Sequence, residues 1–218
     1  MKENIFLLGD SVELLKKVPS ETVDLIFADP PFTLEEVHPS VRCDYLTWTR
    51  QWMRECVRIL KRTGSIYIQM SSDNAPFVFN IAIKEGLYFK NWIIWKHSYV
   101  CQKRKMFGKA YTPILFFTKH PSKYSFNVQE KENCIDTWFT DKSEEEAARK
   151  IDELSTPPSV LERIIKTSSN VGDLVLDPFV GSGTSLVVAK KLNRRYIGFD
   201  SSECKIKLTL KRLEQLIP

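Results

Sequence analysis

Two short stretches of this 218-residue sequence carry residue types whose spacing could do chemistry. In Asp29-Pro30-Pro31-Phe32, the two prolines fix the backbone and lack amide donors, so the segment presents acceptors only: the Asp29 carboxylate and the Pro30 carbonyl. Such a site suits a ligand that donates. A planar exocyclic amino group has two N–H bonds to give, and Phe32 offers a face on which its ring could stack. Taken alone, a proline-rich turn closing a strand explains the segment equally well. The second stretch is Asp177-Pro178-Phe179-Val180-Gly181-Ser182-Gly183-Thr184. Gly181 and Gly183 let the backbone turn sharply and approach a ligand, and the amides that follow near Ser182 can hold an anion. Asp200, 19 residues beyond Gly181, can accept from both hydroxyls of a ribose. By itself this loop fits NAD and other nucleosides equally, since the third glycine of a dinucleotide fingerprint would fall at Leu186. A capped tight turn is the plainer alternative.

The elements that must position these residues follow from periodicity. Residues 4–8 and 23–28 are short apolar runs rich in β-branched and aromatic side chains, and 11–18 between them has helical spacing, which together predict a βαβ unit. A helix over 44–61, a turn at Arg62-Thr63-Gly64, a strand over 65–69 and a helix over 75–85 come next. Residues 88–95 and 111–119 read as two strands joined by a basic loop, an antiparallel pair belonging at a sheet edge. Residues 120–155 are the least regular part, with helical composition over 141–153. From Pro158 the alternation resumes: helix 159–167, strand 174–176, the glycine loop, helix 182–192, strand 195–199 and a helix over 202–216. The pattern is that of one doubly wound α/β domain with a parallel sheet, and ligands then sit at the carboxyl ends of its strands.

Composition narrows the classes. Hydrophobic residues are 43% and charged residues 27% of the chain, which disfavours disorder, collagen and coiled coil. No run approaches the ~18 apolar residues of a membrane span, and the first ten residues are too short for a signal-peptide core, so a soluble protein of the cytoplasm or nucleoid is expected. The five cysteines are never closer than 13 apart and the three histidines make no paired motif, so reduced thiols and no metal site are expected. The net charge is +5, and the segment 96–110 alone carries Lys96, Lys103, Arg104, Lys105 and Lys109 with no acid. An anionic partner near that loop is the functional reading, a solvated loop the plain one. A second basic set, Arg194, Arg195, Lys205, Lys207, Lys211 and Arg212, reads as the solvated face of a terminal helix.

The tetrad Asp29-Pro30-Pro31-Phe32, followed 148 residues later by the loop Asp177 to Thr184, resembles the amino-methylating DNA methyltransferases, in the motif order of their circularly permuted β class. The resemblance covers nearly the whole chain, with Gly9-Asp10 as the adenine-binding turn and 193–200 as the ribose-binding strand. A tetrad that begins with Asp resembles the adenine-N6 type more than the cytosine-N4 type, which more often begins with Ser. The resemblance implies a Rossmann-like S-adenosylmethionine-dependent methyltransferase fold, a mostly parallel seven-stranded sheet, circularly permuted, with an antiparallel edge hairpin. It implies a single methyltransferase domain over 1–218 with a small recognition insertion at 120–155. One departure lies before the cofactor loop, where the family usually reads like His-Pro-Thr-Gln-Lys-Pro; residues 153–158 keep only the last proline.

The expected catalytic set is Asp29, Pro30, Pro31 and Phe32. The expected cofactor set is Asp10, Ser11, Asp177, Pro178, Phe179, Gly181, Ser182, Gly183, Thr184, Asp200 and Ser201, with Asp10 at the adenine, Gly181 to Thr184 at the methionine end and Asp200 at the ribose. Lys96, Lys103, Arg104, Lys105 and Lys109 would grip DNA phosphates beside a flipped base. The recognition region spans only 36 residues, so a homodimer or a partner subunit is expected to supply reach. The activity so read is methyl transfer to adenine N6 in DNA, in a restriction-modification setting. Its competitors are a cytosine-N4 or RNA methyltransferase, a non-catalytic nucleic-acid-binding partner of one, and an NAD-dependent oxidoreductase.

Overall fold

Strand β2 (Val23–Ala28) is apolar on both faces, the pattern of a strand covered on both sides. Its neighbouring residues divide between two cores. Ile26 joins Leu15, Trp52, Ile66, Leu176 and Phe199, whereas Leu25 and Phe27 join Phe116, Ile164, Val175 and Leu186, as the two-residue period of a strand requires. A computed structural model describes residues 4–31, 39–101, 105, 107–127, 134–152 and 155–216, with backbone alone at 39–43 and 99–101.

Helices α1 (Ser11–Leu15), α2 (Pro39–Ile59) and α3 (Ala75–Lys84) alternate with β1 (Ile5–Leu8), β2 and β3 (Leu60–Gln69). The antiparallel strands β4 (Tyr88–Cys101) and β5 (Lys109–Thr118) follow, then β6 (Thr137–Phe139) and α4 (Lys142–Ile151). Helix α5 (Pro158–Ser168), β7 (Leu174–Asp177), α6 (Thr184–Lys191), β8 (Arg195–Asp200) and α7 (Glu203–Glu214) complete the order. The sheet runs β1-β8-β7-β2-β3-β5-β4-β6. The chain's first strand lies parallel beside its last, Ile5 opposite Ile197. From β7 the chain winds outward to β8, with β1 beyond it at the edge, and from β2 it winds outward the other way to β3, so the direction reverses between β7 and β2. In doubly wound sheets that switch point is where the strand ends leave a crevice.

Three expectations are corrected. The sheet has eight strands rather than seven, because Thr137–Phe139 adds in parallel to β4 at Ile94, Trp95 and Lys96; three residues are too few to show a period. The hairpin consequently lies one strand in from the edge. Its strands also reach further than predicted, with Cys101 pairing with Lys109, so much of the basic loop is ladder. Finally, Arg62-Thr63-Gly64 is a bulge in β3 rather than a turn before it: Val23 pairs with Leu60 and Leu25 with Ser65. The ion pair of Lys61 with Asp24 at 2.6 Å closes that bulge. Among the described residues no helix is long and apolar enough to cross a membrane.

Candidate active site

The carboxyl ends of β2, β3, β7 and β8 open onto one cleft of about 800 Å³, a size suited to a nucleoside-sized ligand, whose lining includes Asp29, Pro30, Gln69, Asp177, Gly181 and Asp200. Asp29 follows the last residue of β2, and Asp177 is the last of β7, the strand beside it. Adjacent parallel strands thus deliver two carboxyls to the crevice. Asp177 is buried and accepts at Oδ1 from the Phe179 amide at 2.9 Å and at Oδ2 from the Ser185 hydroxyl. Burial, with the charge of Asp200, outweighs these donors and pushes its pKa to about 7. Asp29, half-buried on the cleft, is pushed to about 8 by burial first and then by Asp177, against the opposing hydrogen bond from Gln69.

The glycine loop is held from three sides. Asp200 Oδ2 accepts from the Gly181 amide at 2.8 Å and its Oδ1 from the Ser202 amide at 2.8 Å. Arg212 Nη1 donates to the Ser182 carbonyl at 2.5 Å and to Thr184 Oγ1 at 2.9 Å. Ser155 Oγ lies 2.8 Å from Ser182 Oγ. Gly183 has a φ of +83°, and a Cβ there would fall 2.4 Å from Thr209 Oγ1, so both conformation and close packing require glycine. On the other side of the cleft stand Trp95, His97, Thr112, Glu145 and Arg149. His97 Nε2 is 2.8 Å from Thr112 Oγ1. Burial opposes the charge of Glu145, but donation from Ser98 and Thr140 prevails and holds its pKa below the ordinary value.

Of the residues read from sequence, Asp29, Pro30, Pro31, Ser11, Asp177, Pro178, Phe179, Gly181, Ser182, Thr184, Asp200 and Ser201 line this cleft. Phe32, Lys103 and Arg104 lie outside the described residues. Asp10 is the N-cap of α1, its Oδ1 accepting from the Glu13 amide at 3.0 Å, and Ser11 rather than Asp10 reaches the cleft, donating to the Pro178 carbonyl at 2.5 Å. Phe179 wedges against Trp48 and Trp52, each 5.4 Å away between ring centroids. Lys96 and Lys105 are exposed, with the Lys96 ammonium over the Phe139 ring, whereas Lys109 is paired with Asp73 at 2.5 Å. The second basic set is not merely a solvated face: Arg212 braces the glycine loop, Lys205 pairs with Asp152, and Arg194 donates to the Ser169 carbonyl at 2.7 Å.

Gln69, Trp95, His97, Glu145 and Thr156 were not singled out in the sequence, where no motif marks them. Thr156 and Ser155 belong to the segment that departs from the family pattern, and the fold brings that segment against both Gln69 and the glycine loop.

The cleft gathers the carboxyls of Asp29, Glu145, Asp152, Asp177 and Asp200 against Arg149 and Lys205. This excess of acid, with two carboxyls forced toward neutrality, suits a ligand that brings positive charge and ribose hydroxyls. The sulfonium and ammonium of S-adenosylmethionine meet that description.

Comparison with known proteins agrees. Residues 23–211 match the N6_N4_Mtase family, described as DNA methylase. The type II methyltransferase M.HpaI of Haemophilus parainfluenzae is 33% identical over 95% of this chain and 73% of its own length. The DNA adenine methyltransferase YhdJ of Escherichia coli strain K12 is 33% identical over 94% of this chain and 81% of its own. Among solved structures, the PvuII DNA methyltransferase (cytosine-N4-specific) shares the fold with a TM-score of 0.79 at 19% identity, over 97% of this chain and 86% of that one.

Proposed function

The chain belongs to the N6/N4 DNA methylase family, and on that premise we propose that it methylates the exocyclic N6 of adenine in DNA through an acceptor-only cage at Asp29 and Pro30. S-adenosylmethionine is the methyl donor. The observation that carries the reading is the placement of Asp29: its carboxyl stands at the switch point, in the same cleft as the glycine loop and one strand from Asp177.

Asp200 and the loop Gly181 to Thr184 would hold the cofactor, which supplies an electrophilic methyl on a sulfonium. The rest is done by this chain's own groups. The lone pair of an aromatic amine is delocalised into its ring, so positioning is the main task. Asp29 Oδ1 and the Pro30 carbonyl each accept one amino hydrogen, which turns the nitrogen toward tetrahedral geometry and stabilises the positive charge that develops on it. In its ionised form Asp29 can also take the proton the methylated nitrogen must lose. Phe32 is assigned to stack on the base. No covalent enzyme intermediate is needed.

The base must leave its helix to reach this cleft. Lys96 and Lys105, with Lys103 and Arg104, are assigned to the flanking phosphates. The single methyltransferase domain spans the chain, with 120–155 as its recognition insertion, and a second copy or a partner subunit extends that short region over the target. A bacterial restriction-modification setting and a cytoplasmic location fit such an enzyme. The test is transfer of labelled methyl from S-adenosylmethionine to DNA, followed by digestion and nucleoside identification. N6-methyladenine, lost in Asp29→Ala, supports the reading; N4-methylcytosine or methylated RNA alone would replace it.

A further inference from the structure

Gln69 ends β3, beside β2 in the register Ala28 opposite Ile68, so it stands level with Asp29. Its Nε2 donates to Asp29 Oδ2 at 3.0 Å and to Thr156 Oγ1 at 2.9 Å, which uses both amide hydrogens. Its Oε1 is buried with no hydrogen-bond partner among the described residues. Among the described residues Gln69 is the hydrogen-bond donor to Asp29, and it meets Oδ2 alone. A buried amide with an unsatisfied oxygen costs stability that an apolar side chain of similar size avoids, so packing does not account for a glutamine here.

We propose that Gln69 is the positioning residue of the reaction: anchored by Thr156, it holds Asp29 by Oδ2 so that Oδ1 faces the target amino group. This rests on the amino-methyl transfer reading above and adds to it the group that aims the carboxylate. The contact also selects a protonation state. An N–H aimed at Oδ2 favours the ionised carboxylate, the form that only accepts. Around Asp29, burial and the Asp177 charge from β7 act in the opposite direction, Tyr45 of α2 lies within electrostatic reach, and Gln69 is the opposing influence. Without it Asp29 keeps its proton to higher pH and presents a hydroxyl where an acceptor is needed.

The experiment measures single-turnover methyl transfer to DNA from about pH 5 to about pH 10 for the wild type, Gln69→Leu and Thr156→Val. In parallel, carbon NMR follows the Asp29 carboxyl in the cofactor-free protein, assigned through Asp29→Asn. In Gln69→Leu the acid limb of the rate profile and the carboxyl titration should both move to higher pH. The rate at neutral pH should fall about tenfold for each pH unit moved, with the loss shrinking toward the alkaline end. Thr156→Val, which keeps the amide and removes its anchor, should move both in the same direction by less. A limb and a resonance that stay at their wild-type positions would overturn the proposal, as would a loss equal at every pH. If Gln69→Leu does not fold, Thr156→Val decides by the same readings. Failure of the underlying function looks different: the wild type itself would transfer no methyl to adenine, while the Asp29 resonance would still report the contact.

Discussion

Replacing Asp29 by Asn separates the chemistry of this carboxyl from its effect on the fold, because the two respond in opposite directions. Its pKa is 3.8 in an ordinary aspartate and about 8 in the folded protein, where burial and then Asp177 raise it. A carboxyl raised in this way favours the folded state most at or below the unfolded value, and its contribution is lost as pH climbs toward the folded value. At about 1.4 kcal/mol per pH unit the loss between pH 4 and pH 7 is at most about 4 kcal/mol. Asp29 keeps a surface on the cleft, where water screens the charge, so about 2 kcal/mol is expected. Asparagine is neutral throughout, and its oxygen can still accept from Gln69. Asp29→Asn should therefore melt about 4–8 °C above the wild type at pH 7 and level with it near pH 4. Its amide nitrogen would then point donors at a donating amino group, so methyl transfer should fall at least about a hundredfold, while cofactor affinity changes far less. Calorimetric melts across pH and labelled-methyl transfer check the two halves. A melting difference that does not vary with pH would refute the buried-carboxyl argument, and near wild-type transfer would refute the acceptor role.

Other outcomes follow from the same geometry. Gly183→Ala places a Cβ 2.4 Å from Thr209 Oγ1 at a φ of +83° and should destabilise the protein by about 2–4 kcal/mol in denaturant titrations; adding Thr209→Ala removes the contacts with Oγ1 and Cγ2 but leaves Cβ at 2.8 Å, so it should recover only part of the loss, with the conformational strain of about 1–2 kcal/mol remaining. Arg212→Met removes the brace on Ser182 and Thr184 and should weaken cofactor binding about tenfold by calorimetry, about 1.4 kcal/mol for a hydrogen bond from a charged donor. Neutralising Lys96 and Lys105 together should lower the slope of log affinity for DNA against log salt by about 2, whereas Lys109→Ala, whose ammonium is already paired with Asp73, should lower it by less than about 0.5. Equal slopes for the two variants would remove the hairpin from the DNA contact.

Much of the fold was legible because its strands are short apolar runs between helix-period segments, and that alternation leaves few topologies. The misreadings have local causes. Thr137–Phe139 is a strand only because β4 offers it an edge. Arg62-Thr63-Gly64 has turn composition, yet pairing on both sides of it turns the segment into a bulge. Residues 97–101 belong to β4 although the register breaks between Lys96 and Cys101, an irregularity that leaves no clean two-residue alternation in the sequence.

The sequence by itself determined the two strand-end motifs and their order, since proline, glycine and aspartate carry their geometric and acceptor roles wherever they stand. Which strands lie side by side was decided only by the tertiary structure. That arrangement sets Asp29 against Asp177 across the β2–β7 pair and sets their proton affinities. It also enlists Gln69, Thr156 and Arg212, residue types that sit on countless surfaces and in countless cores. Their roles depend on contacts spanning 40, 87 and 30 positions of the chain, and no local pattern encodes contacts of that range.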